Sequence, residues 1–234
     1  SKGVAEGKNL IIVPTIAASD AATSHSAVLY TDEGAFDDYA YYNQSPSVVL
    51  LDTTVIATAP VQFLVAGMGD ALATYFEARA VRNAYADVNA GLPCGALNGD
   101  CPPCRSTLSA LALAELCYET LLEDGAKAKE ACEAKGVTQA LENIIECNIL
   151  LSGLGFESGG LAAAHAVHDG LLELEAVRGH SHGEKVAFGT LAQLVLENAP
   201  EEELYTVLDF CLEVGLPVCL ADLGLDDMSD DDYE

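Results

Sequence analysis

The sequence has few basic residues and no long apolar run. Its 234 residues include 10 lysines and arginines against 37 aspartates and glutamates, which gives a formal charge of −27. A polyanion repels nucleic acids and anionic membrane surfaces, so we expect neither as a partner. Without a run of about 20 apolar residues, the sequence predicts no membrane span, and we expect no secretion signal at its start. Half of the residues are nevertheless apolar, which predicts a folded core.

The eight cysteines lack the spacing of a secreted disulfide framework. Cys94, Cys101 and Cys104 share one loop, and the other five are single residues within helical patterns. We therefore expect a reducing compartment and a cytoplasmic protein. The three-cysteine loop is interpreted as free thiols or an adventitious disulfide. A structural zinc or a redox pair is the alternative, although no fourth ligand is evident.

The pattern of apolar residues changes near residue 59. Before it, the apolar runs 9–13 and 47–53 predict buried strands of a parallel sheet, and residues 26–31 and 40–42 predict a hairpin. After it, helical patterns dominate. The sequence therefore predicts a mainly α fold, with an all-helical domain at residues 60–224 preceded by a few strands of an α/β domain at residues 1–59. Residues 225–234 read as an acidic tail that frays.

Residues 60–86 predict one or two helices, with a Gly-x-Gly break at 67–69. Asp70 would then lie in the first turn of the following helix, where a carboxylate suits the helix dipole. The other helices are predicted at residues 107–123, 124–135, 137–154, 161–175, 180–197 and 200–214.

Four of the five histidines lie between Gly155 and Gly189. His165 and His168 are three residues apart on an alanine-rich helix and share a face, and His180 and His182 follow a short turn. Because histidine is the commonest metal-binding side chain, these residues indicate half of a metal site. The alternative is two partnered histidines on a buried helix and two solvent histidines in a loop.

Asp70 is the strongest candidate for the carboxylate partner. It lies in an uncharged stretch from Val61 to Phe76, and a buried carboxylate is normally paired or metal-bound. The alternative is an N-cap aspartate, which needs no metal. One aspartate and two histidines leave an open coordination position, as in catalytic zinc sites. The same set also suits Fe(II), including the facial triad of oxygenases.

Five segments carry a resemblance to a known family. In order, they are VPTIAASDAATS, APVQFLVAGMGDALATYFEARA, LALAELCYETLLEDG, GFESGGLAAAHAVHDGL and HGEKVAFGTLAQLVLENAP. They resemble the glycerol dehydrogenases of the iron-containing, or group III, alcohol dehydrogenase superfamily, from about Asn9 to Gly224. The resemblance implies that residues 1–59 are the C-terminal part of an NAD-binding α/β domain and that residues 60–224 are the metal-binding catalytic domain.

The resemblance also implies an activity and its residues. It implies NAD-linked oxidation of glycerol or a similar vicinal polyol to dihydroxyacetone, with a divalent metal as the Lewis acid and nicotinamide as the hydride acceptor. The metal, zinc or iron, would be held by Asp70, His165 and His182, and Asp20 would reach the polyol. The positions that match the dinucleotide-lining residues are Thr15, Ser24, Val28 and Tyr30. The relatives imply a homo-oligomer.

Four further side chains carry weaker expectations. His168, one turn beyond His165, is interpreted as a supporting or substrate-side group rather than a ligand, and His180 as a loop residue. Phe156 is interpreted as core, with a wall of the substrate pocket as the alternative. His25 lies in the segment TSHSA, near the expected cofactor side, and is assigned no role.

The sequence departs from the family at both ends. The family's glycine-rich pyrophosphate loop precedes the segment that matches NLIIVPT and has no counterpart here, and the family continues with helices where this chain has DDMSDDDYE. We therefore expect a fragment, a split gene or a truncated chain that binds NAD weakly on its own. The alternative function is a non-catalytic helical remnant that serves in assembly or interaction. An iron-dependent oxygenase is a weaker alternative, because it would need an arginine for its cosubstrate and none lies within GMGDA, AAAHAVH or HGEK, the short motifs that hold the three ligands.

Overall fold

The computed structural model describes residues 8–31, 36–42, 44–88 and 104–225, except the side chains of residues 30, 36–39 and 41. It confirms a mainly helical fold preceded by a few short strands. Cys94 and Cys101 of the three-cysteine loop and most of the predicted acidic tail lie outside the described residues, whereas Cys104 is exposed.

Two small sheets precede the helices. Strand β1 (Ile11–Ile12) pairs in parallel with β4 (Val48–Val49), and β2 (Ser26–Tyr30) pairs antiparallel with β3 (Phe36–Tyr41). The predicted hairpin and the parallel pairing are thus confirmed. The predicted burial of the parallel strands is wrong, since Ile11 is 62% and Val48 is 45% exposed. Strand side chains project from the two faces of a sheet, and the described residues leave those of Ile11 and Val48 partly uncovered.

Eight α-helices are described, with one π-helical and two 3-10 segments. They are α1 (Thr53–Ile56), α2 (Val61–Asn83), α3 (Leu108–Glu133), α4 (Gln139–Glu146), a π-helical segment (Cys147–Leu151), α5 (Ser152–Gly159), α6 (Ala163–Leu171), a 3-10 segment (Glu175–Gly179), α7 (His182–Leu196), α8 (Glu201–Val214) and a second 3-10 segment (Leu220–Leu223). A search of the described helices finds none with the length and hydropathy needed to cross a membrane.

Helix α2 is continuous, so the predicted break at residues 67–69 is wrong. A Cβ atom on Gly67 would lie 2.0 Å from the carbonyl oxygen of Ala17. The glycines therefore allow other chain segments to approach the helix, and they do not interrupt it. Asp70 consequently lies inside α2 rather than in a first turn, which also rules out the N-cap interpretation. The predicted boundary at residue 124 is likewise wrong, because α3 runs through it.

Helix α2 is also the centre of the core. It packs against α3, α5 and α7, and its apolar residues Met68, Leu72 and Phe76 are fully buried. Burial of each such side chain contributes about 1.5–3 kcal/mol. The two acidic residues of the same helix, Asp70 and Glu77, are also buried. They are seven positions apart, which is two helical turns, and so lie on one face.

Candidate metal centre

The backbones of α2 and α7 touch at a pair of glycines. A Cβ atom on Gly69 would lie 2.4 Å from the carbonyl oxygen of Gly183, and a Cβ atom on Gly183 would lie 1.7 Å from that of Ala66. Only glycine permits such an approach at these two positions. Asp70 follows the first glycine and His182 precedes the second. The close contact of the two helices therefore brings these two side chains together.

A capping box fixes the start of α7, where His182 is the first helical residue. The Ser181 hydroxyl accepts a hydrogen bond from the Glu184 backbone N–H at 3.3 Å, and the Glu184 carboxylate accepts one from the Ser181 backbone N–H at 2.7 Å. Burial raises the pKa of Glu184, but the hydrogen bonds from Ser181 outweigh it and leave that pKa lowered. The box holds the backbone of His182 at the edge of the site.

Asp70, His165 and His182 converge, although they come from three helices. His182 Nε2 lies 3.0 Å from Asp70 Oδ1, and His165 Nε2 lies 3.7 Å from the same oxygen. One ligand atom from each residue lies within 4.8 Å of the other two. This spacing suits coordination of one cation, since zinc ligands lie about 2.0–2.2 Å from the metal.

The ionisable side chains of this cluster change one another's pKa values. Burial raises the pKa of Asp70, but the imidazoles of His182 and His165 outweigh it and hold that pKa below its usual range. Burial lowers the pKa of His165, but the charge of Glu77 and the contact with Asp70 raise it well above its usual value. Burial, together with the charge of Asp70, raises the pKa of Asp20 well above its usual value. Negative charge is thus concentrated at a site where a cation would be stabilised.

His168 supports His182 from the second ring nitrogen. His168 Nε2 lies 3.0 Å from His182 Nδ1, and His168 Nδ1 lies 3.0 Å from a carboxylate oxygen of Asp169. Burial, together with the charge of His182, lowers the pKa of His168 to about 4. This position fits the predicted supporting role. His180 lies outside the cluster, where its Nδ1 is 3.6 Å from Glu184 Oε1.

The segment that carries Asp20 is held against α2 by the π-helical segment. Asn148 donates hydrogen bonds of 3.0 Å to the carbonyl oxygens of Ala17 and Leu64. The Asp20 carboxylate accepts a hydrogen bond of 2.6 Å from the Ser152 hydroxyl, which immediately follows the π-helical turn. Such turns are frequent at functional sites. Here the turn positions Asp20 beside the three converging side chains.

A cavity of about 620 Å³ opens over the cluster. Asp20, Asp70, His165 and His182 all line it, and no lysine or arginine within the described ranges does so. Its apolar wall includes Phe156, Leu161 and Leu172. The cavity is large enough for a small organic ligand, and its lining favours a neutral ligand over an anionic one.

Comparisons with known proteins identify relatives over nearly the whole chain. The glycerol dehydrogenase of Citrobacter freundii is 54% identical over 218 residues, which cover 93% of this chain and 56% of that protein. The glycerol dehydrogenase of Thermotoga maritima is 52% identical over 225 residues, covering 96% and 58%. The chain is homologous to the glycerol dehydrogenases. The solved structure of a probable glycerol dehydrogenase from Sinorhizobium meliloti has a TM-score of 0.88 at 46% identity and covers 96% of this chain and 60% of that one.

The resemblance expected from the five sequence segments is thereby confirmed. No family model matches the chain. The chain spans about half the length of the curated glycerol dehydrogenases that it matches.

Of the four residues predicted to line a dinucleotide, two border the cavity. Ser24 and Val28 line the cavity. Thr15 is exposed and is not among the residues that line it, and the side chain of Tyr30 lies outside the described residues. His25 lines the same cavity and its ring contacts the Glu157 carboxylate. The dinucleotide roles stay predictions.

Glu77 is the site residue that the sequence analysis missed. It is fully buried, and its Oε2 lies 2.6 Å from His165 Nδ1. Its Oε1 accepts hydrogen bonds from the backbone N–H groups of Ala162 at 2.8 Å and His165 at 3.0 Å. The available signal was its spacing, since a glutamate two turns after Asp70 in the same helix shares the face of that aspartate.

Proposed function

We propose that this chain carries the metal centre and the polyol-binding cavity of an NAD-linked glycerol dehydrogenase. The reaction is the oxidation of glycerol, or a similar vicinal polyol, to dihydroxyacetone. The observation that carries the proposal is the convergence of Asp70, His165 and His182 within 4.8 Å at one cavity. Homology to the glycerol dehydrogenases supports it.

The residues present fit a divalent cation. One carboxylate oxygen and two imidazole nitrogens provide three ligands, which is the usual protein contribution to a catalytic zinc site. Because the three side chains border the cavity, a substrate oxygen can approach from that side. We propose Zn²⁺, with Fe²⁺ as the alternative that the same donors accept. When bound, the ion supplies Lewis-acid polarisation of a substrate hydroxyl.

The chain's own residues would bind and orient the polyol. The Asp20 carboxyl group lies in the cavity and is held by Ser152, so it can hydrogen-bond a second hydroxyl of a vicinal diol. Phe156 and Leu161 provide an apolar wall that excludes water from the reacting end. NAD would accept the hydride, with Ser24 and Val28 on its side of the cavity.

Two other functions are less well supported. A non-catalytic remnant would have no use for Asp70, His165 and His182 aimed at one point beside a cavity. An iron-dependent oxygenase needs a cationic group for the carboxylate of a 2-oxo acid. Within the part of the chain that the structure describes, no lysine or arginine lines the cavity. The homo-oligomer and the cytoplasmic location stay predictions.

The test is metal content together with turnover. The purified chain is expected to bind about one Zn²⁺ per chain, and His165→Ala to lose it. His180→Ala is the matched control, because it removes a nearby imidazole outside the cluster and should retain the metal. Zinc-loaded protein with glycerol and a large excess of NAD should form NADH, and the excess is needed because we expect the chain alone to bind NAD weakly. Absence of bound metal in the parent chain would refute the proposed centre, and metal without any NADH would favour the remnant.

A further inference from the structure

Helix α6 has no side-chain cap from its own N-terminal residues. Ala162 occupies the N-cap position and has no side chain that can accept a hydrogen bond. Its backbone N–H and that of His165 donate instead to Glu77 Oε1, from helix α2. The N–H of Ala164 donates to Gln193 Oε1, from helix α7, at 2.9 Å. Two buried side chains from neighbouring helices thus cap the first turn of α6.

Glu77 also determines which nitrogen of His165 carries the hydrogen. An ionised carboxylate accepts hydrogen bonds and donates none. Since Glu77 Oε2 lies 2.6 Å from Nδ1, that nitrogen is the donor. When the ring is neutral, as a metal ligand must be, Nε2 is the nitrogen with the free lone pair, and it faces Asp70 Oδ1, 3.7 Å away. Two acceptors that face each other at this distance leave space for a cation between them.

We propose that Glu77 is a positioning residue, which holds the His165 ring in the tautomer and orientation required for a divalent cation at the proposed metal centre. Its carboxylate is hydrogen-bonded to both the backbone N–H and the ring of His165, so the ring cannot turn without losing a buried hydrogen bond. This inference rests on the proposed function only through the existence of the metal centre, and not through the reaction catalysed there.

The substitution that isolates this role is Glu77→Gln. The amide oxygen can replace Oε1 and keep both backbone hydrogen bonds. The amide NH₂ group then faces Nδ1 of His165 as a donor and favours the tautomer whose Nε2 carries hydrogen, which cannot ligate. Loss of such a supporting partner typically weakens metal affinity about 10–100-fold. We expect that loss for Zn²⁺, measured by competition with a chromogenic chelator, with unchanged helix content by circular dichroism.

The matched control is Gln193→Met. It removes the other buried cap of α6 at similar side-chain length, and the side-chain hydrogen bonds of Gln193 in the described part of the chain go to Ala164 and Glu197 rather than to an imidazole. We expect its Zn²⁺ affinity to stay within about threefold of the parent value. Equal losses in the two variants would show that Glu77 acts only through the stability of α6. Parent-like binding by Glu77→Gln would also overturn the inference.

A second measurement does not depend on the variant folding. In the Zn²⁺-loaded parent chain, long-range ¹H–¹⁵N correlation of His165 should show hydrogen on Nδ1. A ring without hydrogen on Nδ1 would overturn the role of Glu77. A parent chain that binds no Zn²⁺ would overturn the metal centre and this inference together, whereas a zinc-loaded chain without dehydrogenase activity would refute the proposed reaction alone.

Discussion

Gly183 lies so close to Ala66 that a Cβ atom on it would be 1.7 Å from the Ala66 carbonyl oxygen. This contact sets the distance between α2 and α7 next to His182. Gly183→Ala must therefore push the two helices apart. We expect a loss of about 1–3 kcal/mol in the free energy of unfolding, as in other overpacked cores. We also expect Zn²⁺ affinity to fall about tenfold or more, because a metal site tolerates displacements of about 0.5 Å.

Gly170→Ala is the control for that substitution. Gly170 lies within α6, close to the same cavity, but a Cβ atom there would meet nothing within 4 Å. Alanine should then stabilise the helix by about 0.5–1 kcal/mol and leave the metal affinity unchanged. Both variants can be compared by urea unfolding and by Zn²⁺ titration. Equal Zn²⁺ affinity in the two variants would show that the glycine contact does not position the site.

The motifs predicted three side chains that the structure brings together, but they did not predict Glu77, which holds one of them. Asp70 and the four clustered histidines were candidates because a carboxylate or imidazole among apolar residues is unusual, and the resemblance to the glycerol dehydrogenases then selected Asp70, His165 and His182. Their environment was misread at Gly67 and Gly69, since glycine breaks a helix in isolation but allows close packing in a folded protein. Glu77 was missed because its partner lies 88 positions away, and such pairings depend on the tertiary fold.

Metal binding should stabilise the folded chain. A ligand that binds the native state alone adds about 4 kcal/mol when its concentration is 1,000 times its Kd. For a chain of this size, that corresponds to a rise in Tm of about 10 °C. We expect this rise when Zn²⁺ is added to chelator-treated protein, measured by differential scanning fluorimetry. Asp70→Asn should lose the rise, because an amide is a poor ligand for zinc. A rise of the same size in Asp70→Asn would place the zinc elsewhere.

The capping box of α7 predicts a dependence of stability on pH. Because the folded-state pKa of Glu184 is lowered from 4.5, its stabilising contribution is present above that value. It is lost as the pH falls through the lower, folded-state pKa. The difference in the free energy of unfolding between the parent and Glu184→Gln should therefore be largest near neutral pH and shrink in acid. Ser181→Ala, which removes the hydroxyl partner, should cost about 1 kcal/mol at neutral pH. A Glu184→Gln difference that grows in acid would contradict the assignment.

Asp20 and Ser24 line the same cavity, but we expect Asp20 to affect the binding of glycerol and Ser24 the binding of NAD. A buried hydrogen-bonding group left unsatisfied costs about 1–3 kcal/mol, so Asp20→Ala in zinc-loaded protein should raise the KM for glycerol about fivefold or more. Ser24→Ala should instead raise the KM for NAD by a smaller factor and leave the KM for glycerol unchanged. Both variants should hold as much zinc as the parent, because neither residue is a ligand. The measurement is steady-state NADH formation with each substrate varied in turn. If Asp20→Ala changed the KM for NAD alone, Asp20 would belong to the cofactor side of the cavity and the polyol would bind elsewhere.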